Sequence, residues 1–258
     1  MSGFDPSWLA LREPYDHAVR DRALTDAFVK ALGPTPELID LGSGTGSNLR
    51  FLAPHLPKPQ RWTCVDHDPM LLVRLEMAKP DDVDVMVEHL DLASDLERLP
   101  IRAGMGVTAA ALLDLASAEW LDRLVESCRE VAVLMTLSFD GRIDWGPVDP
   151  SDAAINAAFC QHQRLDKGFG PSLGPDAADH LVEALESAGH DVRLATSDWT
   201  FGSDDGLILQ AMVEGITAAA GEIDPALPLQ DWVARRLGEI EARQLSLTIG
   251  HLDLLALP

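Results

Sequence analysis

The sequence predicts one α/β domain over residues 1–258, with a mostly parallel sheet covered by helices on both faces. Three observations carry that prediction. Short apolar runs alternate with helical patterns from residue 37 to about 140. A glycine-rich turn follows the first run and leads straight into a helix. Apolar residues make up 47% of the chain, enough to bury a sheet from both sides.

Taken in order, Pro14 fits the first turn of a helix that runs to about Leu32, with Tyr15, Val19, Leu24, Ala27, Phe28 and Ala31 on one face. Gly33-Pro34 stops it, so residues 1–34 read as an N-terminal helical cap. ELIDL (37–41) is a strand, and Gly46 to Pro54 a helix. RWTCVD (61–66) is a strand, Pro69 to Lys79 a helix, and VDVMVEHL (83–90) a strand. MGVTAAALL (105–113) reads as a strand, although its alanines also suit a helix. Ala118 to Arg129 is a helix and VAVLMTLSF (131–139) a fully apolar strand.

The pattern then loosens. Residues 140–174 are rich in Gly, Pro and Asp, with one helix capped by Asp149 and opened by Pro150. Pro175 opens a clearer helix, with Ala178, Leu181, Val182, Leu185 and Ala188 on one face. DVRLATS (191–197) is a strand, 204–220 and 228–244 are helices, and LSLTIGHLDLLAL (245–257) is a final strand bent near Gly250. Segments 140–174 and 204–244 are therefore insertions. The string LDLAS occurs at 90–94 and 113–117; each copy ends an apolar run before a helix, so shared local physics explains it without a repeat fold.

Asp+Glu number 42 against 20 Lys+Arg, a formal net charge of -22. Such a surface repels phosphate backbones and anionic lipid, so neither nucleic acid nor a membrane is an expected partner. No uninterrupted apolar run approaches the roughly 18 residues of a membrane span. The start, MSGFDPSWLALREP, lacks the basic and apolar regions of a signal peptide. Cys64, Cys128 and Cys160 are scattered without metal or disulfide spacing, as expected of reduced thiols in the cytoplasm.

In an open parallel sheet, ligands bind beyond the carboxyl ends of the strands. The first such segment is Asp40-Leu-Gly42-Ser43-Gly44-Thr-Gly46-Ser-Asn. Alternate glycines permit a sharp turn and close approach of a ligand to the backbone. A dinucleotide fingerprint would place its third glycine where Ser47 stands, and the Gly-Lys-Ser/Thr of a P-loop is absent. Asp66 ends the next strand, where a carboxylate can take both hydroxyls of a ribose, with His67 and Asp68 beside it. That placement is shared with NAD enzymes and by itself indicates a nucleoside. Asp66, Asp91 and Asp114 also stand where helix caps are expected.

The pattern D-x-G-x-G-x-G is similar to motif I of class I S-adenosylmethionine (SAM)-dependent methyltransferases. The resemblance covers roughly residues 37–140, and the strand at 191–197 and the final strand agree with it. It implies a Rossmann-like three-layer sandwich whose seven-stranded sheet ends in an antiparallel strand inserted beside the fifth. It implies SAM as cofactor, with Gly42, Ser43, Gly44 and Gly46 around its amino-acid half and Asp40 near its ammonium group. Asp66 would take the ribose, Asp91 the adenine amino group with Leu92 alongside, and Ala110 would belong to a floor of small residues. The family's N-terminal helix often closes over the cofactor, which puts Tyr15 in the pocket wall; an apolar-face role suits it equally. Arg20 could reach the cofactor carboxylate, but it is read as solvated. The long helical segment 204–244 departs from the family's usual hairpin.

The implied function is in-line transfer of a methyl group to a small-molecule acceptor. The acceptor is expected under residues 140–174, with Trp145, Phe159 and Phe169 for apolar contact and Arg142, Arg164 and Lys167 as a basic group. An anionic or planar acceptor follows, with His162 as the candidate catalytic side chain. No metal cluster is visible in the sequence. Two alternatives remain: a SAM-binding protein without transferase activity, and an NAD(P)-dependent oxidoreductase, which shares Asp66 but not the glycine spacing. A protein substrate is a further alternative. The apolar helices at 204–244 suit either a cover for the sheet or a homodimer surface.

Overall fold

The most apolar runs occupy the middle of the sheet. In a computed structural model, which describes residues 5–258, β1 (Glu37–Leu41) lies between β2 (Arg61–Asp66) and β4 (Gly106–Ala110), all parallel. β3 (Asp84–His89) forms one edge beside β2, and β5 (Ala132–Gly146) continues the parallel order beyond β4. β8 (Ser246–Leu257) then inserts antiparallel beside β5, and β6 (Asp191–Thr196) pairs antiparallel with β8. The order is β3-β2-β1-β4-β5-β8-β6, so the direction of winding reverses between β1 and β4. The expected antiparallel last strand beside the fifth is present.

The sheet has eight strands rather than seven. The addition is β7 (Trp199–Phe201), paired with β8. Three residues are too few to show a period of two, which is why the alternation of the sequence missed it. β5 is longer than its apolar run because it passes two irregularities, one at Leu137 (φ 57) and one at Gly141 (φ 91). The expected bend near Gly250 is matched by these irregularities on the facing strand. Gly250 itself leaves room for the Asp140 carboxylate, which a Cβ would strike.

The N-terminal cap is two helices, not one. Asp5 accepts a hydrogen bond from the Ser7 N–H and Pro6 opens α1 (Pro6–Val19), so Pro14 lies inside a helix rather than at its start. Arg20 is extended, and Asp21 caps α2 (Arg22–Ala31) through the Leu24 N–H. α2 covers one face of the sheet together with α3 (Ser47–Leu52) and α4 (Pro69–Ala78), burying Phe28, Leu49, Trp62 and Leu75. α5 (Leu92–Asp95), α6 (Ala118–Ser127) and α8 (Ala177–Ser187) cover the other face around Leu96, Trp120, Leu121 and Leu181.

The two insertions build a further core against the far ends of β5 and β8. α7 (Asp152–Gln163), α9 (Gly206–Ile223) and α10 (Leu229–Glu241) bury Ile155, Ile208, Val213, Ile216 and Trp232 with Trp145 and Phe201. Ser151, not Asp149, precedes α7; Asp149 instead accepts from the Ser151 N–H and pairs with Arg235. By length and composition α9 is the one helix among the described residues long and apolar enough to cross a membrane, with mean hydropathy 1.2 over 18 residues. Its buried stripe packs on this core, as a covering helix requires.

Candidate functional site

Beyond the carboxyl ends of β1, β2 and β4, at the reversal of strand order, lies a cleft of about 890 Å³. Its floor is the turn after β1. Gly42 (φ 64) and Gly44 (φ 52) both hold left-handed backbone there, and Ser43 N–H donates to the Val65 carbonyl over 2.9 Å, stitching the turn to β2. Asp66 ends β2 at its edge. Gly44 N–H donates to its Oδ2 over 2.8 Å and Asp68 N–H to its Oδ1 over 2.9 Å. Each oxygen therefore has a fixed direction and keeps a free lone pair, the geometry a vicinal diol needs.

Gly42, Ser43, Gly44, Asp66, His67, Asp91, Leu92, Ala110 and His162 all line the cleft, as anticipated. Asp91 also caps α5 through the Ala93 N–H at 3.0 Å, so its cap and pocket positions coincide. The Leu92 carbonyl is fixed by the indole N–H of Trp120 at 2.7 Å.

Three anticipated residues stand elsewhere. Asp40 lies fully buried beneath the turn; its Oδ1 accepts from Asn48 Nδ2 over 2.6 Å. Burial pushes its carboxyl up to about 7, although the Asn48 hydrogen bond and Arg20 act in the opposite direction. Gly46 (φ 87) packs against Leu75 of α4, where a Cβ would come within 2.9 Å of that side chain; it is a packing position. Tyr15 faces away: its hydroxyl donates to Asp205 Oδ1 over 2.8 Å and its ring meets Phe201 edge-on. The helical period explains this. Leu9, Arg12 and Asp16 form the stripe of α1 that lines the cleft, with Arg20 just past its end, while Trp8, Leu11, Tyr15 and Val19 form the neighbouring stripe, about 100° around the helix, packed on the insertion core.

α1 is held over the cleft by charge. Arg50 of α3 makes a bidentate pair with Glu13 at 2.7 and 2.6 Å and also donates to the Thr45 carbonyl. His17 Nε2 lies 3.0 Å from the Ser47 hydroxyl and carbonyl. Behind α1, Arg20 is buried rather than solvated, donating from Nη1 to Asn48 Oδ1 over 3.0 Å.

At the other end, α7 and the loop after it supply His162, Lys167 and Phe169. Lys167 Nζ donates to His162 Nδ1 over 3.1 Å, which leaves the ring proton on Nε2, 3.2 Å from Glu222. Both ring nitrogens of His162 thus have a polar neighbour at the rim of the cleft. Lys167 forms no ion pair among the described residues, and desolvation holds its ammonium below the usual lysine range. Of the other anticipated acceptor contacts, Arg142 is bound to Asp140 and Asp198, and Arg164 to Asp176. Trp145 meets Trp232 edge-to-face, and Phe159 meets Phe139 in the same way. Asp114 sits in the turn Leu113–Leu115, its carboxyl raised to about 6 by burial against the pull of Arg12 and Lys167; Ser117 is the cap of α6. Among the described residues no three His, Cys, Asp or Glu side chains are grouped to hold a metal ion.

No protein-family model matches the chain, and no curated protein matches it in sequence. Solved structures do match in fold. A cyclopropane synthase from Mycobacterium tuberculosis is 11% identical, with 97% of this chain and 94% of that chain covered at a TM-score of 0.53. A cyclopropane-fatty-acyl-phospholipid synthase-like protein from Lactobacillus casei is 18% identical over 93% of this chain and 98% of its own, at 0.51. A mycolic acid cyclopropane synthase crystallised with SAH is 12% identical over 90% and 83%, also at 0.51. The chain has the class I methyltransferase fold.

Proposed function

We propose that the protein is a SAM-dependent methyltransferase acting on a small-molecule acceptor, with the whole chain serving as one catalytic unit. The observation that carries this reading is the Asp66 carboxylate, fixed at both oxygens by backbone N–H groups from the glycine turn and from residue 68, and open to the cleft. The neighbouring structures support it: one of them is a complex with SAH, the product left when SAM has given up its methyl group. The unmatched glycine spacing weighs against a nicotinamide cofactor.

SAM, when bound, supplies a methyl group on a positively charged sulfur. The chain's own residues bind, orient and exclude water. Asp66 holds the ribose hydroxyls, Asp91 and Leu92 the base, and Gly42 to Gly44 let the ligand reach the backbone. Leu112, Leu115, Leu137 and Phe169 wall the remaining volume with apolar surface. Lys167, desolvated and without a carboxylate partner, draws an anionic group of the acceptor, and His162 with Glu222 fixes the direction of its ammonium. A positioned nucleophile that is already electron-rich needs no strong general base. The free cysteines Cys64, Cys128 and Cys160 accord with a place in the cytoplasm.

The test is transfer from SAM carrying a labelled methyl group into a pooled small-molecule extract. Label in a product retained on an anion exchanger is expected. Label in a neutral or cationic product overturns the acceptor class, and no label from any extract, with SAH nonetheless bound, favours a SAM-binding protein without transferase activity.

A further inference from the structure

Neighbouring residues of α1 reach in different directions. Glu13 and His17 turn to the side of the glycine turn, where they meet Arg50 and Ser47. Arg12 turns the other way, and its guanidinium carbon lies 4.7 Å from the centre of the Trp199 ring and 5.9 Å from that of Trp8. Its Nε donates to Asp16 Oδ2 over 2.9 Å. The plane and one edge of the guanidinium are therefore fixed. The other edge is free: among the described residues Nη1 and Nη2 donate to no protein acceptor, neither is enclosed by protein, and the side chain lines the cleft.

Lys167 stands at the same end of the cleft. Its ammonium and the Arg12 guanidinium both bear on the carboxylate of Asp114, in the turn between the cleft-lining Leu112 and Leu115. A guanidinium held at its face and at Nε presents parallel N–H groups that match the two oxygens of a carboxylate. The balance of charge then selects among oxyanions. Asp16 offsets Arg12, and Asp114 offsets part of the field of Lys167, so little positive charge is left over for a dianion. Leu112, Leu115, Leu137 and Phe169 give the surrounding wall its apolar character.

We infer that Arg12 determines which acceptors the cleft takes: it holds the carboxylate of a monocarboxylic acid through two N–H bonds, with Lys167 as a second point charge and the apolar body of the acid against the leucines and Phe169. A planar carboxylate fills both free nitrogens of the fork at once, which a neutral amide cannot do. The inference rests on the methyltransferase reading of the cleft and deepens it. The anionic group of the acceptor becomes a carboxylate, and the residue that recognises its shape becomes Arg12.

The experiment is calorimetric titration of the SAH-saturated full chain with benzoate, phenylacetate and hexanoate, each beside its uncharged amide, and with phenyl phosphate. In the wild type at least one carboxylate is expected to bind about tenfold or more tightly than its amide, the scale of one charged hydrogen-bonded contact, and more tightly than phenyl phosphate. Arg12→Met should bring that carboxylate to within about threefold of its amide while SAH affinity stays at the wild-type value. Arg12→Lys keeps a charge for Asp16 and loses the fork; it should retain only part of the preference, and it decides the matter should Arg12→Met fail to fold. The full preference in either folded variant, no carboxylate preferred over its amide, or tighter binding of phenyl phosphate overturns the inference. So does a parallel loss of SAH affinity in Arg12→Met, which would assign Arg12 to the cofactor; the methyltransferase reading survives each of these results. A wild type that binds no SAH overturns that reading itself.

Discussion

The backbone N–H of Gly44 donates to Oδ2 of Asp66 over 2.8 Å, joining the turn after β1 to the end of β2. The two segments are 22 residues apart in the chain and adjacent in the sheet. One bond therefore sets both the shape of the turn and the aim of the carboxylate. The sites of other residues in the turn differ in kind, and the differences can be measured.

Gly46 is a packing position, so its replacement should cost stability and spare the cleft. Gly46→Ala places a side chain at φ 87 and drives a Cβ to within 2.9 Å of Leu75 Cγ. A loss of roughly 2–4 kcal/mol is expected from backbone strain and overpacking together. Urea denaturation reads this directly. SAH affinity of the folded fraction should match the wild type, and a selective loss of binding without loss of stability would place Gly46 in the site after all.

Asp40 should give the protein a pH-dependent stability on the acid side of neutrality. Its folded-state carboxyl is raised to about 7 from an ordinary value of 3.8. The folded state therefore holds the proton more tightly than the unfolded chain. That contribution is fully present below the ordinary value and falls by about 1.4 kcal/mol per unit as pH rises between roughly 4 and 7, levelling off above the folded value. Asp40→Asn keeps a carbonyl for Asn48 and removes the titration. The stability difference between variant and wild type should grow in the variant's favour from about pH 4.5 to pH 7 and level off above it, and a difference flat across that lower range would contradict the assignment.

The insertion core depends on one buried cation. Arg236 is fully buried, bonded to Asp152 at 2.5 Å, to Glu239 and to the Pro147 carbonyl at 2.7 Å, and close to the rings of Trp145 and Trp232. Arg236→Ala leaves the buried Asp152 carboxylate without its guanidinium and with only neutral donors, the Trp232 indole and the Asp149 N–H, and should cost roughly 3–5 kcal/mol. Differential scanning calorimetry should show a lower melting temperature. A change under 1 kcal/mol would mean that this core holds without its ion pair.

Legibility in the sequence followed locality. β1 and β2 and their terminal Asp residues were plain, because an apolar run ending in a carboxylate is a local signal. The true start of α1 was local too: Asp5-Pro6 repeats the cap signature of Asp68-Pro69, and Pro14 was given its place instead. Tyr15 was misplaced by one stripe of a helix whose start had been set eight residues late. Arg20 was beyond reach for a different reason. Its burial depends on Asn48 and Asp253, 28 and more than 200 residues away, and no periodicity in α1 announces them. Lys167 was singled out with Arg142 and Arg164, but only three-dimensional pairing shows that the two arginines are spent on carboxylates.

The central claim is a nucleoside site gripped by Asp66, and equilibrium binding of SAH tests it most directly. Wild type and Asp66→Ala should be titrated side by side, with folding checked by thermal melt. The account predicts saturable binding to the wild type and a loss of at least tenfold, roughly one charged hydrogen-bonded contact, in the variant. Equal affinity in the two proteins, or no binding to the wild type at millimolar SAH, would contradict it.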